Sequence, residues 1–228
     1  MTHAPEFTQI KPLKEDKFGT VELVRLTSGQ LAVRRYYACA QPVWRSIARS
    51  LAYREAKALQ AIGEITAEGI PTRQIAQLIY FDQDHLFRTY LEATPLDKAG
   101  RQNTAFFEDA MALIERLHGG GVLHRDLEKP SNWLVLPNGR AGLVDFQLAV
   151  YSPRRGLWFK ARAADDRRYI LKNKKRFCHE PLSAQEEALL ARRTMLNRFW
   201  RGIIKPCYRF ITRRIFRWSD RANSKYSH

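Results

Sequence analysis

Gly121-Val122-Leu123-His124-Arg125-Asp126-Leu127-Glu128-Lys129-Pro130-Ser131-Asn132-Trp133-Leu134-Val135 is the stretch whose reading decides the fold. An Asp and an Asn share one loop and an apolar run follows. Pro137-Asn138-Gly139-Arg140 then turns the chain, and a second apolar run ends in Val144-Asp145-Phe146. Phosphoryl transfer needs this set of groups: one carboxylate to position an attacking hydroxyl, and an amide with a second carboxylate to hold Mg²⁺ against phosphates. His-Arg-Asp alone would say little. Loop, hairpin and Asp-Phe in this order are specific.

Working outward, Phe106 to His118 predicts an amphipathic helix. Phe106, Phe107, Ala110, Met111, Ile114 and Leu117 form its stripe, and Gly119-Gly120-Gly121 ends it. Thr94-Pro95-Leu96 breaks the chain before that helix. Strands are predicted over Ile75–Phe81 and His85–Glu92, with Asp82-Gln83-Asp84 turning between them. Pro42 to Ile62 reads as a helix, with Leu51, Ala58, Leu59 and Ile62 at helical spacing. Before it, Thr20–Arg25 and Leu31–Tyr37 alternate as two strands around a Thr27-Ser28-Gly29-Gln30 turn. Period-2 alternation puts Ala32 and Arg34 on one face and Arg35 on the other. No Lys or Arg lies three or four residues from Glu55, so a local helical ion pair does not explain that glutamate. Downstream, Asp165 to Lys172 reads as a helix start, and Ser183 with Glu186 forms a capping box.

With 228 residues the chain holds one sizeable domain or two small lobes sharing a cleft. It has no run of about 18 uncharged apolar residues and no basic-then-apolar N-terminal layout, so neither a membrane span nor a signal peptide is expected. Cys39, Cys178 and Cys207 are odd in number and widely spaced, which fits a reducing cytosol and excludes a disulfide framework. The net charge of +16 is uneven: +1 over residues 1–153, +8 over 154–178, −3 over 179–191 and +10 over 192–228. Such a basic final third points to a polyanionic partner: nucleic acid, anionic lipid or a phosphorylated substrate.

The succession His124-Arg125-Asp126, Asn132 and Asp145-Phe146 resembles the catalytic loop and Asp-Phe-Gly segment of the protein-kinase-like superfamily, over roughly residues 12 to 190. The resemblance implies an α+β, two-lobed fold. Residues 12–92 would be an N-lobe that covers the nucleotide, 93–190 a short C-lobe with catalytic loop and metal site, and 191–228 a basic amphipathic C-terminal segment. It also implies site residues. Phe18-Gly19-Thr20-Val21 resembles the end of the glycine-rich loop, which places Gly19 and Val21 over the nucleotide. Leu31-Ala32-Val33-Arg34 lines up with the Val-Ala-Ile-Lys strand, so Ala32 would face the base and Arg34 the phosphates, with Glu55 orienting Arg34. Thr89, Tyr90 and Leu91 are the hinge candidates. Asp126 would be the catalytic base or position the hydroxyl, Lys129 is a catalytic candidate that the extra loop residue would move toward or away from the γ-phosphate, and Asn132 and Asp145 would carry Mg²⁺ beside ATP. Asp166 would bind the catalytic-loop backbone.

The sequence departs from the superfamily pattern in several places. Gln147 stands where Asp-Phe-Gly has glycine, and no Ala-Pro-Glu follows. Five residues separate Asp126 from Asn132 where the kinase loop has four, so a bulge is expected between Asp126 and Pro130. The short second lobe is most similar to bacterial lipopolysaccharide core kinases, the Kdo and heptose kinases, and RIO-type kinases share its layout. That similarity implies transfer of the ATP γ-phosphate to a sugar hydroxyl of the lipopolysaccharide inner core, at the cytoplasmic face of the inner membrane. The alternatives are a RIO-like serine/threonine protein kinase and a nucleotide-binding pseudokinase scaffold.

Within 192–228, Leu196, Trp200, Ile203, Cys207, Ile211, Ile215 and Trp218 recur at three- and four-residue steps, with arginines filling much of the other side. This pattern predicts a helix that binds an anionic membrane surface, the alternative being that its apolar stripe packs on the second lobe. Nucleic acid is the lesser alternative partner, because the same aromatics would stack bases.

Overall fold

The computed structural model describes residues 4–67 and 73–191. The N-terminal half is built on a five-stranded antiparallel sheet of β1 (Phe7–Asp16), β2 (Gly19–Leu26), β3 (Leu31–Tyr36), β4 (Leu78–Phe81) and β5 (His85–Thr89), in the order β1-β2-β3-β5-β4. The sequence pattern did not predict β1. Its run Lys11-Pro12-Leu13-Lys14-Glu15-Asp16 is charged and contains a proline, and it pairs with β2 only through register shifts at Gln9/Lys11 and Pro12/Lys14. An edge strand tolerates both features, since one of its sides needs no ladder partner.

The hairpin of β2 and β3 is centred on Ser28, so Val24 faces Ala32, Glu22 faces Arg34 and Val21 faces Arg35. One side of the sheet buries Val24, Leu26, Ala32 and Phe87, with Phe7 of β1 packed over them. The other side carries Val33 and Arg35 of β3 and Arg88 of β5. Helix α1 (Pro42–Ala67) extends five residues past the predicted end. Its buried face, with Ala48, Ala52, Ala56, Leu59 and Ile62, belongs to the main hydrophobic core.

A short strand β6 (Thr94–Pro95) and the single-turn helix α2 (Leu96–Ala99) lead into helix α3 (Thr104–Gly119). The Asn103 side chain caps α3 by accepting from the Phe106 N–H at 3.1 Å. Then follow β7 (Val122–Leu123), the predicted hairpin β8 (Trp133–Val135) and β9 (Ala141–Leu143), and β10 (Val150–Tyr151). Strands β6, β8 and β9 form one small sheet, and β7 and β10 another. Helix α4 (Leu157–Phe177) is a single long helix that begins well before the predicted start at Asp165. Helix α5 (Ala184–Ala191) opens on the expected capping box: Glu186 N–H donates to Ser183 Oγ at 3.2 Å, and Ser183 N–H to Glu186 Oε2 at 2.8 Å.

Backbone pairing and core packing both join the halves. The Leu143 N–H donates to the Gln74 carbonyl at 2.8 Å, and Ile75 bridges to Leu143. Phe146, almost fully buried, is packed in the same core as the α1 residues. Among the described residues no helix is long and apolar enough to cross a membrane. The predicted helix in 192–228 lies outside the described residues.

Candidate active site

The loop between β7 and β8 is held by side chains of α4, Asp166 at its start and Asn173, whose Nδ2 donates to the Leu127 carbonyl at 2.8 Å, further along. Asp166 of α4 is 1% exposed, and its Oδ2 accepts from the His124 N–H and its Oδ1 from the Arg125 N–H, both at 3.2 Å. His118 Nε2 lies 3.2 Å from the same Oδ2. The expected anchoring of the loop backbone by Asp166 is therefore seen in the geometry. Arg125 takes φ of 68°, a left-handed value rare in a non-glycine residue, and the two Asp166 bonds hold it there.

His124 is fully buried and edge-on to Phe146, with ring centroids 4.8 Å apart. Its Nε2 lies 2.9 Å from the Val144 carbonyl, and its Nδ1 accepts from the Asp126 N–H at 3.3 Å. That pairing assigns the neutral tautomer protonated on Nε2. Burial pushes the imidazole below its usual 6.5, against the pull of Asp166, the Val144 carbonyl, Asp145 and Asp126.

The Asp126 carboxylate is 16% exposed, and its Oδ2 accepts from Lys129 Nζ at 2.6 Å and from Asn132 Nδ2 at 3.1 Å. Asn132 Nδ2 also donates to the Asp126 carbonyl at 2.9 Å. The loop with its extra residue keeps both partners on Asp126: the chain turns at Leu127 and Glu128, and Lys129 folds back onto the carboxylate. With Nδ2 committed, Oδ1 is the Asn132 amide atom left for a cation to use. The Val144 N–H donates to the Asn132 carbonyl at 3.0 Å, which fixes Asp145 next to Asn132. Asp145 itself is left-handed, at φ 68° and ψ 66°, with its side chain 34% exposed.

The strand cation requires a correction. Arg34 does not meet Glu55. Its Nη1 binds Glu22 Oε2 at 2.8 Å, and its guanidinium lies over Phe7 at 4.7 Å and Tyr36 at 4.5 Å, on the side of the sheet where Phe7 packs. Ala32 is buried on that same side, away from the cleft. Arg35 takes the inner position: its Nε is 3.3 Å from Glu55 Oε2 and its Nη2 is 3.2 Å from Asp145 Oδ1. Burial opposes the Arg35 charge, but Glu55, Tyr37 and Asp145 together hold its pKa above the ordinary value. The Gln147 amide oxygen, in the orientation that satisfies its neighbours, accepts from Arg35. Glu55 is fully buried and has a second cation, Arg88, whose Nε is 3.6 Å from Oε1.

The remaining predicted residues are placed as follows. Val21 shares the inner side with Arg35. Gly19 has φ of 124°, and a Cβ there would overlap the Tyr36 carbonyl, so the turn from β1 to β2 is fixed by packing against β3. Its tip is pinned on α1 by Phe18 edge-on to Trp44 at 5.6 Å and Lys17 over the Trp44 ring at 3.9 Å. In the hinge, the Thr89 N–H donates to the Gln77 carbonyl at 2.9 Å and the Tyr90 N–H to the Leu31 carbonyl at 3.2 Å. An open groove of about 910 Å³ runs along Leu31, Gln77, Thr89 to Glu92 and Leu136 to Asn138, and it shares no residue with the Asp126 cluster.

Among the described residues no three His, Cys, Asp or Glu side chains converge as a metal cage. Asn132 and Asp145 supply two oxygen ligands on adjoining strand ends, which suits a cation that takes the rest of its octahedron from phosphates and water. This donor set fits Mg²⁺.

Reading the residues missed Arg35, Arg88 and His118. The hairpin turn centred on Ser28 did carry the signal for Arg34, because it sets Glu22 directly opposite. Arg88 and His118 had no local signal, since their partners Glu55 and Asp166 are distant in sequence.

No family model and no curated protein sequence matches the chain. Among solved structures it is similar to the Rio2 kinase from Chaetomium thermophilum, with a TM-score of 0.59 and 16% identity over 80% of this chain and 62% of that one. It is also similar to the ADP/Mg²⁺-phosphoaspartate complex of that kinase, with a TM-score of 0.57 and 15% identity over 85% and 65% of the two chains. The chain thus spans less than two thirds of those structures. The fold is protein-kinase-like.

Proposed function

We propose that the protein is an ATP- and Mg²⁺-dependent phosphotransferase with an alcohol acceptor. The observation that carries this reading is the convergence of Asp126, Asn132 and Asp145 on one loop and hairpin, with Arg35 bridging Asp145 to Glu55. Asp126 would orient the acceptor hydroxyl and take its proton on the carboxylate oxygen that Lys129 and Asn132 leave open. Lys129, already on Asp126, would stand beside the transferring phosphoryl group. Arg35 would bind the nucleotide phosphates, and Asn132 Oδ1 and Asp145 would hold Mg²⁺. Bound there, Mg²⁺ would neutralise charge on the phosphate oxygens.

For the acceptor we favour a sugar hydroxyl of the lipopolysaccharide inner core, met at the cytoplasmic face of the inner membrane. Two features support this. After Asp145 the chain reaches α4 through a 3₁₀ turn (Phe146–Leu148), the short strand β10 and a brief loop, which leaves no long segment on which a peptide could dock. The +10 of residues 192–228 suits an anionic membrane surface and an anionic glycolipid better than a neutral acceptor. Similarity to Rio2 kinase favours a second reading, a RIO-like protein kinase. Incubation with Mg·ATP and either lipopolysaccharide precursors or a generic protein substrate separates the two. Phosphate on the glycolipid supports the first reading, phosphate on protein alone the second, and ATP binding without transfer to either points to a scaffold.

A further inference from the structure

Glu55 is fully buried and both of its oxygens lack a hydrogen bond, yet two guanidinium groups approach it, one on each oxygen. Arg35 comes from β3 and Arg88 from β5, the strand that runs into the hinge, and each is less than a tenth exposed. Arg35 is also the cation on Asp145. The four groups thus alternate in sign, Arg88, Glu55, Arg35, Asp145, and sum to zero charge. A single arginine would have to serve both acids, and Glu55, fully buried beside the partly exposed Asp145, would hold it more strongly. A second buried arginine on the far oxygen of Glu55 removes that competition.

We propose that Arg88 is a positioning residue for phosphate binding: by sharing Glu55 it leaves Arg35 directed at Asp145 and at the phosphates of the nucleotide. The assignment rests on the nucleotide reading of the cleft given above. It places part of the phosphate affinity on a residue that does not itself touch phosphate.

The test compares Mg·ATP with adenosine, which lacks the phosphates, by calorimetric titration of the full chain and its variants. Arg88→Met keeps the bulk and removes the charge. It should weaken Mg·ATP about tenfold while adenosine stays within about twofold. Arg88→Lys should remain within about threefold of the unaltered chain for both ligands. In a Glu55→Gln background the same Arg88→Met change should cost less than about twofold, because no buried acid is left to compete for Arg35. Equal weakening of ATP and adenosine would mark Arg88 as a packing residue and overturn the assignment, as would an undiminished loss in the Glu55→Gln background. Should Arg88→Met not fold, Arg88→Lys and the double variant, which carries neither buried charge, decide by the same criteria. If the unaltered chain binds neither ligand, the nucleotide reading falls and the role of Arg88 with it. If it binds both and Arg88→Met is silent, the role of Arg88 alone falls.

Discussion

Asp126 presents a carboxylate whose Oδ2 is already engaged by Lys129 and Asn132, so in the proposed reaction the other oxygen would receive the substrate hydroxyl. Asp126→Asn should therefore lower turnover by about 10²- to 10⁴-fold with nucleotide affinity nearly unchanged, as single-turnover kinetics and binding titration would show. Retained phosphotransfer by this variant would remove Asp126 from the chemistry. Arg34 and Arg35 offer a paired test one residue apart. Arg35→Met should abolish Mg·ATP binding, whereas Arg34→Met should spare it and cost about 1–2 kcal/mol of stability through the lost Glu22 pair and ring contacts. Alternation along β3 was legible in the sequence, but which side faced the cleft was not. Both sides are covered, one by the catalytic half and the other by Phe7 of a strand whose charges and proline hid it.

At the level of elements, α1, α4 and the catalytic loop depend on a few long-range contacts. Asp166 satisfies two backbone N–H groups and approaches His118. Asp166→Ala should cost about 3–5 kcal/mol in denaturant unfolding, because it leaves buried donors unpaired. Gly19→Ala should also destabilise, since the new methyl group overlaps the Tyr36 carbonyl. His124 adds a pH dependence. Its folded-state pKa is depressed, so its contribution is complete above the unfolded value of 6.5 and is lost as pH falls through the folded value. Melting temperature should fall between pH 7 and pH 5, and His124→Gln should flatten that slope. Helix α3, the β8–β9 hairpin and the α5 capping box were all legible because their signals are local: a stripe, a turn and a Ser-x-x-Glu. The true start of α4 was not, because Gly156 caps it without a side-chain bond and its first turn, Leu157-Trp158-Phe159, reads as a loop tail.

At the scale of the whole molecule, the sheet with α1 closes on the catalytic half through Gln74, Ile75 and Phe146. That closure sets Arg35 on Asp145. The charge map of the sequence adds a second axis, a near-neutral first two thirds followed by a basic final segment. If residues 192–228 bind a membrane surface, the full chain should sediment with anionic vesicles in a salt-sensitive way and not with neutral ones. A chain ending at Ala191 should stay in solution. Equal sedimentation by the shortened chain would discard the anchor, and tighter binding to nucleic acid would redirect it. The central claim, that the Asp126–Asn132–Asp145 cleft binds a magnesium nucleotide, meets its most direct test in thermal unfolding with a non-hydrolysable ATP analogue. The melting temperature should rise with analogue concentration only when Mg²⁺ is present, as ligand linkage requires, and Asp145→Asn should abolish the rise. No rise at millimolar analogue with Mg²⁺, or an equal rise in the Asp145→Asn variant, would contradict it.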